Sequence, residues 1–333
     1  AWRTDTLFDL DAINWGFIRP RKATDRAQAY AQGRWMVEFI ERAYGWDALC
    51  KLLFSYAEGI REEEAMRRAF RDRTFYLGDP EFVQVPQRTL ASPDYAAGLR
   101  ASIHPGKATP SDMLSGTQTP LEDEDTTHFS IIDAEGNRVA GTQTVNLLFG
   151  SGLIPPGTGV LLNNEMDDFA LKSGTPNAFG VMGYEANAPQ PGKRMLSSMT
   201  PTFMESKDRV AVLGTPGGSR IITMVLLGVL GYADGLDAQS VAALPRYHHQ
   251  WQPDALSTER NALPADVVSA LRAMGHTVNT PEDATDGRRS SDTWGNLQTV
   301  SWDKAANRLS TGSDPRNPVG LGKVVDAEKK VKP

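Results

Sequence analysis

One cysteine, Cys50, in 333 residues means that no disulfide can close within this chain, and thiol usage says nothing about its redox compartment. There is no His-Glu-x-x-His, and the five histidines form no cluster at zinc-ligand spacing, so neither a metal nor another cofactor is expected. Basic residues are outnumbered, 35 Lys and Arg against 41 Asp and Glu, and a net charge of -6 argues against nucleic acid or an anionic membrane as partner. The longest apolar run, around Ile221–Leu230, is too short to cross a bilayer. No internal repeat is apparent, and the chain opens without Met or a signal peptide, as if cut from something longer. What is present is enough apolar residue, 40%, to bury one large core or two smaller ones.

The most informative stretch is Asp125-Thr126-Thr127-His128-Phe129-Ser130. Before it lies a loop, 104–125, with three Pro, two Gly and the acidic run Glu122-Asp123-Glu124-Asp125, a composition that packs poorly. After it a hairpin is predicted: Thr127–Ile132 alternates, Ala134-Glu135-Gly136-Asn137 reads as the turn, and Val139–Val145 returns. A hydroxyl at the start of a rigid strand, behind a cuttable loop, is how a self-cleaving N-terminal nucleophile is presented. Breaking Asp125-Thr126 would free an amine of pKa about 8, able to take the proton from the hydroxyl of the same residue. β-Propensity alone also explains a Thr-Thr pair before a strand.

Five further segments set that pair in a pattern: Thr142-Gln143-Thr144-Val145-Asn146, Leu162 to Phe169, Lys193 to Pro201, Gly214-Thr215-Pro216-Gly217-Gly218-Ser219-Arg220, and Ser313-Asp314-Pro315-Arg316. In order and spacing they resemble the small, catalytic subunit of γ-glutamyltranspeptidases. Upstream, Asp72-Arg73 and Leu77-Gly78-Asp79-Pro80-Glu81-Phe82 are similar to the end of that family's large subunit, so the resemblance runs from about Glu64 to Arg316. It implies an autocleaving enzyme acting on glutathione-like γ-glutamyl compounds, with water, an amino acid or a peptide as acceptor and its own cleaved fragment as partner in a heterodimer. A periplasmic or extracellular home is implied in the same way.

Carried over residue by residue, Thr126 is the expected nucleophile and Thr144 the residue bonded to its free amine. Gly217 and Gly218 can turn two N–H groups toward a tetrahedral oxyanion, although a Gly-Gly at a strand-helix junction also serves a tight turn. Asn146, Glu165 and Asp168 would hold an α-ammonium, and Ser197 and Ser198 an α-carboxylate. Ser173–Tyr184 resembles the lid over the γ-glutamyl pocket, with Phe179 where many bacterial members place Tyr. His248 and His249 are expected to be structural, with ring nitrogens bonded to backbone, and His128 to be a packed neighbour.

The implied fold is an α+β, αββα sandwich of the N-terminal nucleophile hydrolase type, incomplete here and preceded by a helical segment. The large subunit of the family is several times longer than the 125 residues upstream of Thr126, and its glycine-rich segment bearing a donor-gripping Arg has no counterpart here. Helices are predicted near 25–44, 47–58, 61–73, 92–101, 218–232, 237–244 and 264–274. Residues 1–63 read as a helical segment of foreign origin that weakly resembles part of a zinc-metallopeptidase-like domain. Residues 64–125 read as the large-subunit-like end with its linker, 126–325 as the catalytic domain and 326–333 as a loose tail. Two other readings stay open: a related glutaryl or cephalosporin acylase, and an inactive remnant.

Overall fold

The computed structural model describes residues 60–104, 106–111, 124–281, 294–317 and 319–325. The helices expected at 25–44 and 47–58, and the tail from 326, lie outside the described residues. The described residues fall into two compact units, one holding 60–62 and 86–102, the other 63–85 and those from 103 onward. Within the first, helices α2 (Gln87–Leu90) and α3 (Pro93–Ala101) are described. Ser92 caps α3 by accepting the N–H of Tyr95 at 3.1 Å, with Pro93 in the first turn where its missing N–H costs nothing.

The second unit holds α1 (Ile60–Tyr76, from Glu63 onward), the hairpin β1 (Glu124–Ile132) and β2 (Arg138–Leu147), and the short pair β3 (Thr175–Pro176) and β4 (Met182–Gly183). There follow β5 (Thr202–Glu205), β6 (Arg209–Gly214), α4 (Ile221–Ala233), α5 (Ala238–Ala242), β7 (Tyr247–His248) and β8 (Leu256–Thr258). It closes with α6 (Ala265–Ala273), β9 (Val278–Asn279), β10 (Gln298–Asp303) and β11 (Arg308–Ser313). The main sheet is antiparallel in the order β11-β10-β6-β5.

β6 reads as a continuous apolar run because it is covered on both faces. Ala211 and Leu213 point to one side, where Tyr232, Val241 and Ala242 of α4 and α5, and Ile221 and Val225 of α4, close the core. Gly214, one residue out of phase, faces the hairpin; a Cβ there would lie 2.2 Å from the His128 ring. Ser130 donates to the carbonyl of Gln298 at 3.3 Å, so β1 lies on the sheet as a second β layer. The outer face of the hairpin, Phe129, Ile131 and Val139, is exposed.

α1 joins this unit through Phe70, which packs with Met182 and Trp251, and through Phe75, stacked on Tyr184 at 4.6 Å. Asp79 takes three bonds from Arg194, from its backbone N–H (2.9 Å), Nε (3.0 Å) and Nη2 (2.7 Å), which anchors the irregular stretch that carries Ser197 and Ser198. Those bonds hold the Asp79 carboxyl well below the usual carboxylate range.

Candidate active site

β1 and β2 pair with Thr126 opposite Thr144, and the ladder register shifts between Glu124 and Thr126. The irregularity therefore lies immediately before Thr126. The Thr126 and Thr144 hydroxyls are 2.8 Å apart, and Thr144 Oγ1 also accepts the N–H of Asn146 at 2.8 Å. With Thr126 still joined to Asp125, the contact is hydroxyl to hydroxyl rather than hydroxyl to amine.

Asn146 leaves the strand at φ 76°, a left-handed conformation that Asn tolerates better than most residues. Its Nδ2 donates to the carbonyl of Asn164 at 3.2 Å, and Asn164 Oδ1 accepts from Leu147 N–H at 3.0 Å. That clasp ties the end of β2 to the 3-10 turn Glu165–Asp168. Gly217 (φ 138°) and Gly218 (φ 48°) begin the short 3-10 turn that runs into α4, and both φ values fall where a Cβ is strained. Thr126, Gly217, Gly295 and Asn296 line one open trough of about 1340 Å³.

A separate small pocket, of about 50 Å³, is lined by Arg73, Asp167, Asp168, Asn177, Phe179 and Ser198 among others. Burial, and then the neighbouring charge of Glu165, push the Asp168 carboxyl up to about 7, while burial raises Glu165 as well. Two half-buried carboxyls side by side hold a proton near neutrality unless a cation arrives. Phe179 is buried rather than displayed, and Ser197 is exposed and lines neither cavity.

Arg73 carries no assigned role in the sequence reading, yet its Nη2 donates to Ser198 Oγ at 3.2 Å. Burial lowers the guanidinium's pKa, and the charge of Asp168 acts against that. A donor on its lone pair leaves the Ser198 hydroxyl proton free to point at an acceptor. The available signal was helical spacing: Arg73 lies three residues beyond the buried Phe70, on the packed side of α1.

The histidines are structural in a different way from that expected. His249 Nδ1 accepts the backbone N–H of Trp251 at 3.0 Å, as anticipated, but its Nε2 faces carboxylates, Glu63 at 3.2 Å and Asp254 at 3.3 Å. Both His248 nitrogens meet side chains rather than backbone, Thr223 of α4 at 2.9 Å and Gln250, two residues on, at 2.8 Å. His128 is packed as expected; burial lowers its pKa to about 4, and Thr142 and Ser130 take its nitrogens at 2.7 and 2.9 Å.

Glu63, Glu64 and His276 bring ligand-type atoms within 4.8 Å of one another, a group that spacing along the chain did not disclose. A protein cation already sits there: Arg67 Nη2 is 2.7 Å from Glu63, 3.0 Å from Asp254 and 3.4 Å from His276. The cluster pins α1 to the His249–Asp254 segment.

Residues 59–322 match the family model described as Gamma-glutamyltranspeptidase. The chain is similar to the glutathione hydrolase proenzyme of Pseudomonas sp. (strain A14), 46% identical over 237 residues that cover 70% of this chain and 41% of the relative. Its structure resembles the γ-glutamyltranspeptidase of Pseudomonas nitroreducens complexed with L-DON, at 44% identity and a TM-score of 0.53, covering 60% of this chain and all of that one. A cephalosporin acylase from Bacillus halodurans, 24% identical over 77% of this chain and 43% of that one, TM-score 0.57, shares the fold. The chain spans about two fifths of the length of the curated relatives it matches.

Proposed function

This chain belongs to the γ-glutamyltranspeptidase family, and from that premise we propose that it transfers or hydrolyses γ-glutamyl groups of glutathione-like compounds with Thr126 as a self-released N-terminal nucleophile. The observation that carries the reading is the Thr126–Thr144 hydroxyl pair, 2.8 Å apart, in the trough that Gly217 also lines.

In processing, Thr126 Oγ1 attacks the Asp125 carbonyl carbon, the C–N bond breaks, and the hydroxyl proton passes to the departing nitrogen. Water then hydrolyses the ester to the Asp125 carboxylate and a free Thr126 hydroxyl. In turnover the Thr126 amine takes the hydroxyl proton as oxygen attacks the γ-carbonyl. Gly217 and Gly218 N–H groups hold the oxyanion, the leaving amine takes the proton, and water or an acceptor amine resolves the ester. Asn146, Glu165 and Asp168 receive the α-ammonium; Ser198, with Ser197 beside it, receives the α-carboxylate. No described helix is long and apolar enough to cross a membrane, and we place the protein in the periplasm or outside the cell, as the resemblance implies. The two cleaved pieces are proposed to remain together as a heterodimer, since Arg73 lies on one side of the cut and Ser198 on the other.

The direct test is the intact mass of freshly purified, denatured protein over hours: two fragments meeting at Asp125–Thr126 are expected. A lasting single chain in a folded sample would favour the inactive-remnant reading. That reading draws on the exposed Phe129, Ile131 and Val139. Preference for a glutaryl over a γ-glutamyl anilide would point instead to an acylase.

Two finer expectations follow. Because the Asp168 carboxyl stands at about 7 while the ligand's ammonium is favoured by its ionised form, donor binding releases a proton. Donor KM is therefore expected to fall as pH rises toward about 7 and to level off above it, by up to about tenfold per pH unit on the acid side. A pH-independent KM between 5 and 8 would contradict this. Arg73→Met is expected to raise donor KM about ten- to a hundredfold with a smaller change in kcat, the scale of one lost charge-assisted contact. An unchanged KM would remove Arg73 from donor recognition.

A further inference from the structure

Gln250 is buried, and its side-chain amide bonds two separate parts of the site. Nε2 donates to the carbonyl of Phe179 at 3.0 Å. Oε1 accepts from Ser219 Oγ at 2.6 Å and from His248 Nε2 at 2.8 Å. Ser219 directly follows Gly217-Gly218. Phe179 lies in the Asn177–Gly180 turn, whose Asn177 Nδ2 reaches Asp168 Oδ1 at 3.5 Å and whose Ala178 N–H donates to Asp167 Oδ2 at 2.9 Å.

The amide has only one workable orientation, because a carbonyl on one side demands a donor and two donors on the other demand an acceptor. Burial, and then the charge of Arg220, push the His248 pKa down to about 3, so the ring is neutral. With Gln250 Oε1 as the acceptor, the tautomer that fits carries its N–H on Nε2, and Nδ1 faces the Thr223 hydroxyl at 2.9 Å, which also lies 3.0 Å from the Arg220 carbonyl. Ser219, Thr223, His248, Gln250 and Phe179 are all buried, where a mismatched donor or acceptor is costly.

We propose that Gln250 is a positioning residue: its amide holds the Gly217–Gly218 turn and the Asn177–Gly180 turn at a fixed separation, so that the oxyanion donors and the Asp168 carboxylate address one substrate. This rests on the γ-glutamyl-transfer reading of the site. Gln250 touches no reacting atom. Its effect runs through Ser219 on one side and Phe179 on the other, and a displacement of about 1 Å between them is enough to cost on the order of a hundredfold in rate.

The test uses the full chain and two readouts. Hydrogen exchange followed by mass spectrometry in Gln250→Leu is expected to accelerate at both 177–181 and 217–221 while 210–213 in β6 keeps its protection. Acceleration at one turn only, or at neither, overturns the coupling. Should Gln250→Leu not fold, the isosteric Gln250→Glu decides: a protonated carboxyl offers one donor and one acceptor like the amide, whereas the ionised form turns an acceptor toward the Phe179 carbonyl. Both turns are then expected to be protected at pH 5 and to loosen together at pH 8; protection that does not change with pH overturns the proposal. In turnover of a γ-glutamyl anilide, Gln250→Leu is expected to lower kcat ten- to a hundredfold and to raise donor KM several-fold. Ser219→Ala, which removes the oxyanion-side bond alone, is expected to lower kcat without moving KM. If both parameters stay at wild-type values in Gln250→Leu, the proposal fails. A wild-type chain that does not turn over would count against the catalytic reading, and the exchange result would still decide for or against Gln250.

Discussion

Thr126→Ala is expected to leave the chain in one piece and silent toward γ-glutamyl substrates. Both losses are expected from one atom, since in the proposed mechanism the same Oγ1 attacks the Asp125 carbonyl during processing and the γ-carbonyl during turnover. Alanine keeps the β1 backbone and its pairing opposite Thr144 but removes the hydroxyl that lies 2.8 Å from Thr144 Oγ1. Residual catalysis without a nucleophile comes only from binding and oxyanion contacts, so a fall of about 10⁴-fold or more is expected. Thr126→Ser restores the hydroxyl with one methyl fewer and is expected to recover cleavage and part of the rate. Intact mass reads the first effect and anilide release the second. Release by purified, uncut Thr126→Ala would show that another group is the nucleophile.

Asp314→Ala is expected to destabilise the larger unit far more than any surface change. Asp314 and Arg246 are both almost completely buried, with Arg246 Nη2 2.5 Å from Asp314 Oδ2. The same carboxylate accepts the backbone N–H of Leu297 at 2.9 Å, and its other oxygen accepts from Arg316 N–H and Nη1, each at 3.0 Å. Arg246 is also spent on backbone, donating to the carbonyls of Trp294 and of Ala242, the latter at 3.1 Å. Removing the carboxylate leaves the buried Arg246 without its charge partner and the N–H groups of Leu297 and Arg316 without their acceptor, while the Arg316 guanidinium keeps Glu259; breaking such a buried pair costs about 3 to 5 kcal/mol. At roughly 2 to 4 °C per kcal/mol for a unit of this size, Tm is expected to fall by on the order of 10 °C. Asp314→Asn keeps an acceptor for Leu297 and is expected to lose less. A Tm within about 2 °C of wild type in Asp314→Ala would show that the ion pair contributes little net stability.

Much of the secondary structure was legible because it rests on short-range chemistry. The hairpin around Ala134–Asn137 was readable from period-2 alternation and turn residues, and it extends only a few residues further than expected, over Glu124–Leu147. The helix predicted over 61–73 occupies Ile60–Tyr76, and that predicted over 264–274 occupies Ala265–Ala273. The one predicted over 218–232 opens with a 3-10 turn and becomes α-helical only at Ile221, because Gly217 and Gly218 sit at positive φ. Strands β10 and β11 were not anticipated: Gln298–Asp303 and Arg308–Ser313 mix polar and apolar residues, and their pairing with β6 comes from sequence-distant partners.

By itself the sequence determined which residues belong to the family's pattern, where the proposed nucleophile stands and whether each proposed recognition residue offers donors or acceptors, because those are properties of residue type and order. Only the tertiary structure decided what the rest of the pattern is for. Asp79 grips Arg194 across 115 positions, Arg246 meets Asp314 across 68, and Arg73 reaches Ser198 across 125. Likewise the Gln250 amide meets Ser219 and Phe179, 31 and 71 positions away. Periodicity and turn chemistry act over a few residues, whereas a buried polar group must find its partner wherever folding places one.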